Sequence, residues 1–181
     1  LVPTMNAGVR TRVEAGLARL RIAVHGGFRA VSVDEAGVTS VDGRVQAADL
    51  VLVSTAARAP AWLAGTGLPA MADGFVRIGP TLQVEGEEAI FAVGDCATRA
   101  DEPREKAGVF AVRQGPVLAG NLRRRARGEA LRRHRAQKTY LAILSTGDGR
   151  AVAGKGPWLA AEGRWVWRWK DWIDRRFMAM F

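Results

Sequence analysis

The sequence has few cysteines, no long apolar run and no secretory signal, and each absence excludes a class of protein. Cys96 is the only cysteine among 181 residues, so a fold built on internal disulfides is excluded, and a reducing, cytoplasmic compartment is expected. No apolar run reaches the roughly 18 residues that a membrane-spanning helix requires. Apolar residues nevertheless make up 48% of the chain. This content excludes wholesale disorder and indicates one ordinary globular domain or two small ones.

Neither end of the sequence has the form of a natural terminus. The chain begins Leu1-Val2-Pro3 without an initiator methionine, and its last residues, 177–181, are apolar with no polar tail. We therefore expect a piece of a longer protein.

The net charge of +9 is concentrated in one segment. Seven arginines lie between Asn121 and Arg135, and we call them the arginine block: Arg123, Arg124, Arg125, Arg127, Arg132, Arg133 and Arg135. One interpretation is a solvated helix end and linker. The alternative is a non-enzymatic basic module that binds polyanions or an anionic membrane through Arg123–Arg135. No aromatic residues alternate with these arginines to stack bases, so nucleic acid is not expected as a partner.

Apolar spacing predicts two helices, from Val9 to Leu20 and from about Ala107 to Ala126, the second containing Pro116. The buried side of the second helix is predicted to carry Val109, Val112, Val117, Leu118 and Leu122. Strands are predicted between these helices, with an Asp42-Gly43 hairpin turn and a central strand buried on both faces. The predicted strand segments are 21–24, 30–33, 37–41, 49–53, a pair within 74–84, and 88–97.

The last part of the chain is rich in tryptophan. Five of the six tryptophans fall between Trp158 and Trp172. Trp165, Trp167 and Trp169 alternate, which predicts a strand face, and residues 170–181 then take helical spacing. Such a segment packs on a partner domain or lies in a membrane interface, where tryptophan and arginine are favoured.

The motif that points most specifically to a binding site is Ile90-Phe91-Ala92-Val93-Gly94-Asp95. A buried strand here delivers a glycine and then an aspartate at its carboxyl end, where ligands bind in open α/β sheets. Gly94 lets a ligand approach the backbone, and Asp95 is an acceptor for a polyol hydroxyl. The helix that follows turns its N–H groups toward the same place. A plain strand-to-loop turn with an aspartate cap explains the six residues equally well.

This motif resembles the second flavin-binding motif of the pyridine nucleotide-disulfide oxidoreductase superfamily, which includes type II NADH dehydrogenases. The resemblance implies an α/β fold, the remnant of a three-layer Rossmann-like FAD/NAD(P) flavoprotein with a small α+β C-terminal region. It implies that Gly94 and Asp95 bind FAD, with Asp95 on the ribitol. It also implies that Ala107, Gly108 and Val109 contact the flavin pyrimidine ring through their backbone.

The resemblance divides the chain into three parts. Residues 1–85 are similar to the latter part of the NAD(P)-binding domain, residues 86–127 carry the flavin motif, and residues 128–181 form a Trp-rich interface region. The segments 106–116, 144–148 and 167–178 look like an NADH-dehydrogenase-like module that some bacteria fuse ahead of selenide, water dikinase. This likeness implies a kinase domain after Phe181. The activity of that kinase is not carried over to this chain.

The Gly-x-Gly-x-x-Gly turns that hold the FAD and NAD(P) pyrophosphates are missing from the sequence. A missing N-terminal half of the same protein is therefore the expected partner, and the chain alone is expected to be inert. The complete protein is expected to pass hydride from NAD(P)H to FAD, and electrons to an unknown acceptor without a protein disulfide. Type II dehydrogenases have Ala-Gln where Gly108-Val109 stands, so the resemblance does not identify a quinone as that acceptor.

The cysteine and the two histidines give weaker evidence of a functional role. Cys96 is interpreted as a packing residue near the flavin site. His25 and His134 lack metal-ligand spacing, so no metal is expected, and no catalytic residue is assigned. A third interpretation is a degenerate flavoprotein remnant that acts only as an interaction domain.

Overall fold

The computed structural model describes residues 1–179, which divide into two compact units. Unit 1 takes residues 1–53 and the chain from residue 139 onwards, whereas unit 2 is the continuous segment 54–138.

Unit 1 begins with helix α1 (Ala7–Arg19), which confirms the first predicted helix. Asn6 starts it, because its side-chain oxygen accepts a hydrogen bond from the Val9 N–H at 3.0 Å. An antiparallel sheet of β1 (Ala30–Asp34), β2 (Gly37–Ser40) and β3 (Val45–Gln46) follows. Gly43, with φ +82°, turns the chain between β2 and β3, so the Asp42-Gly43 hairpin is confirmed.

Two predicted strands of unit 1 are wrong. Residues 21–24 and 49–53 form no strand, and Leu50, Leu52 and Val53 are 77%, 85% and 72% exposed rather than buried. Extended backbone becomes a strand only where a neighbour completes its ladder of hydrogen bonds. No segment within residues 1–179 pairs with either stretch.

Unit 2 is built around a short parallel pair, β4 (Val76–Ile78) and β5 (Ala97–Arg99). Its apolar core combines these strands with a 3-10 turn at Ala61–Gly65 and with helix α2 (Gly108–Ala126). The core residues are Leu63, Val76, Ile78, Leu82, Val84 and Ala97, with Val117 and Leu118 of α2 packed against them. Where strands were predicted over 74–84 and 88–97, only β4, the first residue of β5 and isolated bridges such as Gln83 with Phe91 form.

Helix α2 confirms the second predicted helix and continues through Pro116. Its predicted buried side is wrong in part, since Val112 and Leu122 are each 48% exposed. The fully buried residue is Asn121, whose amide satisfies three backbone groups of unit 2 at 2.8 Å. The hydrogen bonds of Asn121 therefore act together with the apolar packing of Val117 and Leu118 to orient this helix.

The chain returns to unit 1 as a second antiparallel sheet, β6 (Leu141–Ser145), β7 (Ala151–Lys155) and β8 (Leu159–Gly163), followed by helix α3 (Arg164–Met178). Val166 is fully buried and packs α3 on Ala151 and Ala153. The strand predicted from alternating tryptophans is wrong, because these residues lie in the first turns of α3. The predicted helix after residue 170 is confirmed as far as Met178; Met180 and Phe181 lie outside the described residues.

Helix α1 packs closely on this second sheet. The Asn6 side chain donates to the backbone oxygens of Gly156 and Leu159, each at 2.9 Å. A Cβ on Gly154 would lie 2.4 Å from Val9 Cγ2, and one on Gly8 would lie 2.9 Å from Ala160 Cβ. Glycine at both positions is what lets the helix and the sheet approach so closely.

Candidate functional site

The Gly94-Asp95 motif forms a tight turn in unit 2. After the extended Val93, Gly94–Cys96 make one 3-10 turn in which Gly94 has φ +71°. The Gly94 N–H donates to Oε1 of Gln114 at 2.6 Å, which ties the turn to α2. The positive φ of Gly94 is a left-handed backbone conformation that favours glycine. Asp95, the next residue, is exposed, so its carboxylate faces outward from a fixed turn.

The N-terminus of α2 lies beside this turn. Ala107 is the N-cap in an extended conformation, and no side chain caps the helix. The first N–H groups of α2 are therefore left to solvent or to a ligand, and they carry the partial positive charge of the helix. A Cβ built on Gly108 would meet no atom within 4 Å, so a ligand has access to the backbone there.

A cavity of about 30 Å³ brings most of the predicted residues together. Gly94, Asp95 and Ala107 line it, whereas Gly108 and Val109 continue from it into the first turn of α2. Lys106, Arg99 and His134 also line this cavity, and sequence reasoning did not assign them to the site.

A network centred on buried Arg99 holds one wall of the cavity. Its guanidinium pairs with Asp101 at 2.7 Å and Glu102 at 2.9 Å, and it donates to the His134 carbonyl at 2.8 Å. The hydrogen bond from Arg99 lowers the pKa of Asp101. These contacts fix the loop that follows β5.

Two of the residues that line the cavity each have a buried polar atom without a hydrogen-bond partner in the described part of the chain, His134 Nδ1 and Arg104 Nε. His134 is only 6% exposed. Burial, and secondarily the charge of Arg99, lowers its pKa, which favours the neutral imidazole. Unsatisfied buried polar groups are costly. A hydrogen-bonding group of a water or a ligand that enters the cavity would relieve this cost.

Cys96 and the arginine block do not line this cavity. The Cys96 thiol lies 3.2 Å from the Val93 oxygen, and the residue packs against the core of unit 2. In the arginine block, Arg124 and Arg127 pair with Glu129 at 3.2 and 3.8 Å, and Arg125 pairs with Glu88 at 2.7 Å. Part of the block's charge is therefore neutralised within the chain.

Within residues 1–179, no group of three or more His, Cys, Asp or Glu side chains is placed to hold a metal ion. Over the same residues, no helix combines the length and apolar character needed to cross a bilayer.

A known protein family matches the larger part of the chain. Residues 1–116 match the family model described as pyridine nucleotide-disulphide oxidoreductase. The chain belongs to this family. The superfamily predicted from the Gly94-Asp95 motif is therefore confirmed, and the family is one of oxidoreductases. A search of the curated proteins found no match.

Solved structures show the same fold at low sequence identity. The sulfide:quinone oxidoreductase of the hyperthermophilic bacterium Aquifex aeolicus matches with a TM-score of 0.72 at 15% identity, covering 93% of this chain and 44% of that one. LpdA from Mycobacterium tuberculosis matches with a TM-score of 0.55 at 21% identity, covering 83% and 32%. Fdr9 matches with a TM-score of 0.55 at 20% identity, covering 83% and 44%.

These structures confirm the predicted fold class, an α/β Rossmann-like fold. The chain spans less than half the length of each of the three proteins.

Proposed function

We propose that this chain supplies the second flavin-binding motif of an FAD-dependent NAD(P)H oxidoreductase. The complete protein would pass hydride from nicotinamide to flavin, and electrons to a further acceptor. The observation that carries the proposal is the Gly94-Asp95 turn, held by Gln114 against the uncapped N-terminus of α2. Family membership of residues 1–116 supports it.

The site residues have separate roles in this proposal. The Asp95 carboxylate accepts hydrogen bonds from ribitol hydroxyls. Gly94, which has no side chain, lets the flavin approach the backbone of the turn. The N–H groups at Ala107, Gly108 and Val109 donate to the carbonyl oxygens of the pyrimidine ring. Bound FAD supplies the redox chemistry, while the chain binds and orients it.

The wider assignments belong to the same proposal. We propose that residues 1–85 are the latter part of an NAD(P)-binding domain, 86–127 the flavin segment, and 128–181 an interface region. The pyrophosphate-binding turns would come from another part of the same cytoplasmic protein. The likeness of segments 106–116, 144–148 and 167–178 supports a module linked to selenide, water dikinase.

Substitution of Asp95 by alanine in the complete protein tests the function. A charge-assisted hydrogen bond is worth roughly 1.5–3 kcal/mol, so we expect the Kd for FAD to rise about tenfold or more. Glu87→Ala removes another exposed carboxylate of unit 2 and should leave the Kd unchanged. Titration of apoprotein with FAD, followed by flavin fluorescence, measures both. An unchanged Kd in the Asp95 variant contradicts the assignment.

We also propose that α3 places the protein on an anionic lipid surface. Trp165, Trp169 and Trp172 follow the i, i+4, i+7 spacing of one helix face and are 59%, 37% and 57% exposed. At about 100° of rotation per residue, this face lies roughly 90° round α3 from Val166, which packs on the sheet. The helix carries five basic residues and two acidic ones. Tryptophan with arginine favours headgroup depth, and the positive charge favours anionic lipid.

Vesicle co-sedimentation of the complete protein tests this surface. A Trp165→Ser, Trp169→Ser, Trp172→Ser variant is expected to bind phosphatidylglycerol-containing vesicles about tenfold more weakly. Trp62→Ser changes a tryptophan of unit 2 that is 69% exposed and should bind as the wild type does. Equal binding by the triple variant, or no binding by the wild type, rejects the lipid proposal and leaves packing on a partner domain.

A further inference from the structure

We infer that Lys106 raises the reduction potential of the bound flavin by placing a fixed positive charge at the N-terminus of α2. This inference rests on the proposed function, because it assigns a role toward the flavin to a residue outside the predicted site. The resemblance to the family gave Lys106 no role.

The ammonium group of Lys106 is held by three contacts within unit 2. Its Nζ donates to the Ala97 oxygen at 2.5 Å and to Thr98 Oγ1 at 2.7 Å, both on β5. It also lies 4.0 Å from the centroid of the Phe75 ring. Two acceptors and a ring face all favour the protonated side chain.

The fixed ammonium belongs to the same cavity as the flavin motif. Lys106 lines this cavity together with Gly94, Asp95 and the N-cap residue Ala107. Burial lowers the pKa of Lys106, while the charges of Asp73 and Asp95 oppose that shift.

The position of this charge decides its effect on reduction. Reduction of a flavin makes its ring more negative, and a positive charge near the pyrimidine edge stabilises that form more than the oxidised one. The α2 N-terminus supplies a partial positive charge at this edge. Lys106 directly precedes the N-cap and adds a full charge at the same end of the helix, and partial burial limits its screening by water.

The test compares variants of the complete flavoprotein. Lys106→Met removes the charge, Lys106→Arg keeps it, and Lys138→Met removes an exposed lysine that does not line the cavity. The midpoint potential of the flavin is measured spectroscopically by equilibration with a reference dye. We expect a lower potential for Lys106→Met, a potential near that of the wild type for Lys106→Arg, and no change for Lys138→Met.

Each outcome separates this inference from the proposed function. If the wild type binds no flavin, the proposed function fails. If flavin binds and Lys106→Met keeps the wild-type potential, only the Lys106 inference is overturned. An equal drop in the methionine and arginine variants also overturns it, because the side chain's shape and not its charge would then matter. If the methionine variant does not fold, Lys106→Gln, which retains a donor without the charge, replaces it.

Discussion

Substitution of Gly94 by valine is expected to abolish the retention of FAD by the complete protein. Gly94 has φ +71°, a conformation that costs a β-branched residue roughly 1–3 kcal/mol. Its Cβ would already lie 3.4 Å from Ala111 Cβ, and the two methyl groups of valine would add overpacking of roughly 1–3 kcal/mol. The turn can escape only by moving away from α2, which breaks its hydrogen bond to Gln114. We expect the Kd for FAD to rise about a hundredfold or more.

A matched control separates backbone strain from the site. Gly128 has φ +68° and no atom within 4 Å of a built Cβ, and it lies two residues beyond the end of α2. Gly128→Val therefore introduces a similar strain away from the cavity. Flavin released by acid denaturation, measured per mole of purified protein, compares the variants. Equal flavin content in the Gly94 and Gly128 variants would remove the turn from the binding site.

Replacement of Asn121 by leucine is expected to lower the free energy of unfolding of unit 2 by about 3 kcal/mol. Asn121 is fully buried, and its amide donates to the Thr81 and Arg132 oxygens and accepts from the Arg132 N–H, each at 2.8 Å. Leucine is of similar size but would leave all three backbone groups without partners. Urea unfolding gives the magnitude, and hydrogen exchange should show lost protection over residues 81–84 and 131–134.

The neighbouring residue gives the reciprocal control. Leu122 lies on the same helix and is 48% exposed. Leu122→Asn should change the unfolding free energy by no more than about 0.5–1 kcal/mol, mostly through helix propensity. A loss below about 1 kcal/mol for Asn121→Leu would show that water replaces the amide, and that the hydrogen bonds do not orient α2.

The elements predicted correctly from the sequence are those whose determinants are local. Helix α1 has its cap at Asn6 and its apolar spacing within one segment. The hairpin at Asp42-Gly43 requires only a residue that accepts positive φ. Helix α2 is long enough for its periodicity to survive Pro116. Each of these signals lies within about 20 residues, so no knowledge of the remaining fold was needed.

The incorrect predictions concern segments whose structure depends on distant residues. An apolar run such as 49–53 is a strand only if another strand pairs with it. The tryptophan segment has both two-residue and four-residue spacings, since Trp165 and Trp169 satisfy either period. Gly163, with φ +142°, ends β8 directly before these residues and lets the helix begin. The sequence pattern alone does not show which period prevails.

In the candidate site too, the residues that belong to a local motif were predicted, and those brought in by long-range contacts were not. Gly94, Asp95 and Ala107 belong to a motif and are brought to one cavity. Lys106 and His134 join them through contacts that no local pattern predicts, because Lys106 bonds to β5 and the His134 N–H bonds to the Pro80 oxygen at 2.8 Å. Sequence reasoning considered His134 only as a metal ligand. A buried imidazole nitrogen without a partner becomes visible only in three dimensions.

The discontinuity of unit 1 has a consequence for synthesis on the ribosome. Helix α1 packs on β7 and β8, which follow it by more than 130 residues, and all of unit 2 is made in between. The helix therefore emerges long before its docking sheet exists, while the residues of unit 2 are together much earlier. Co-translational folding should thus begin in the middle of this chain, and helix α1 should be among the last of these elements to find its native contacts.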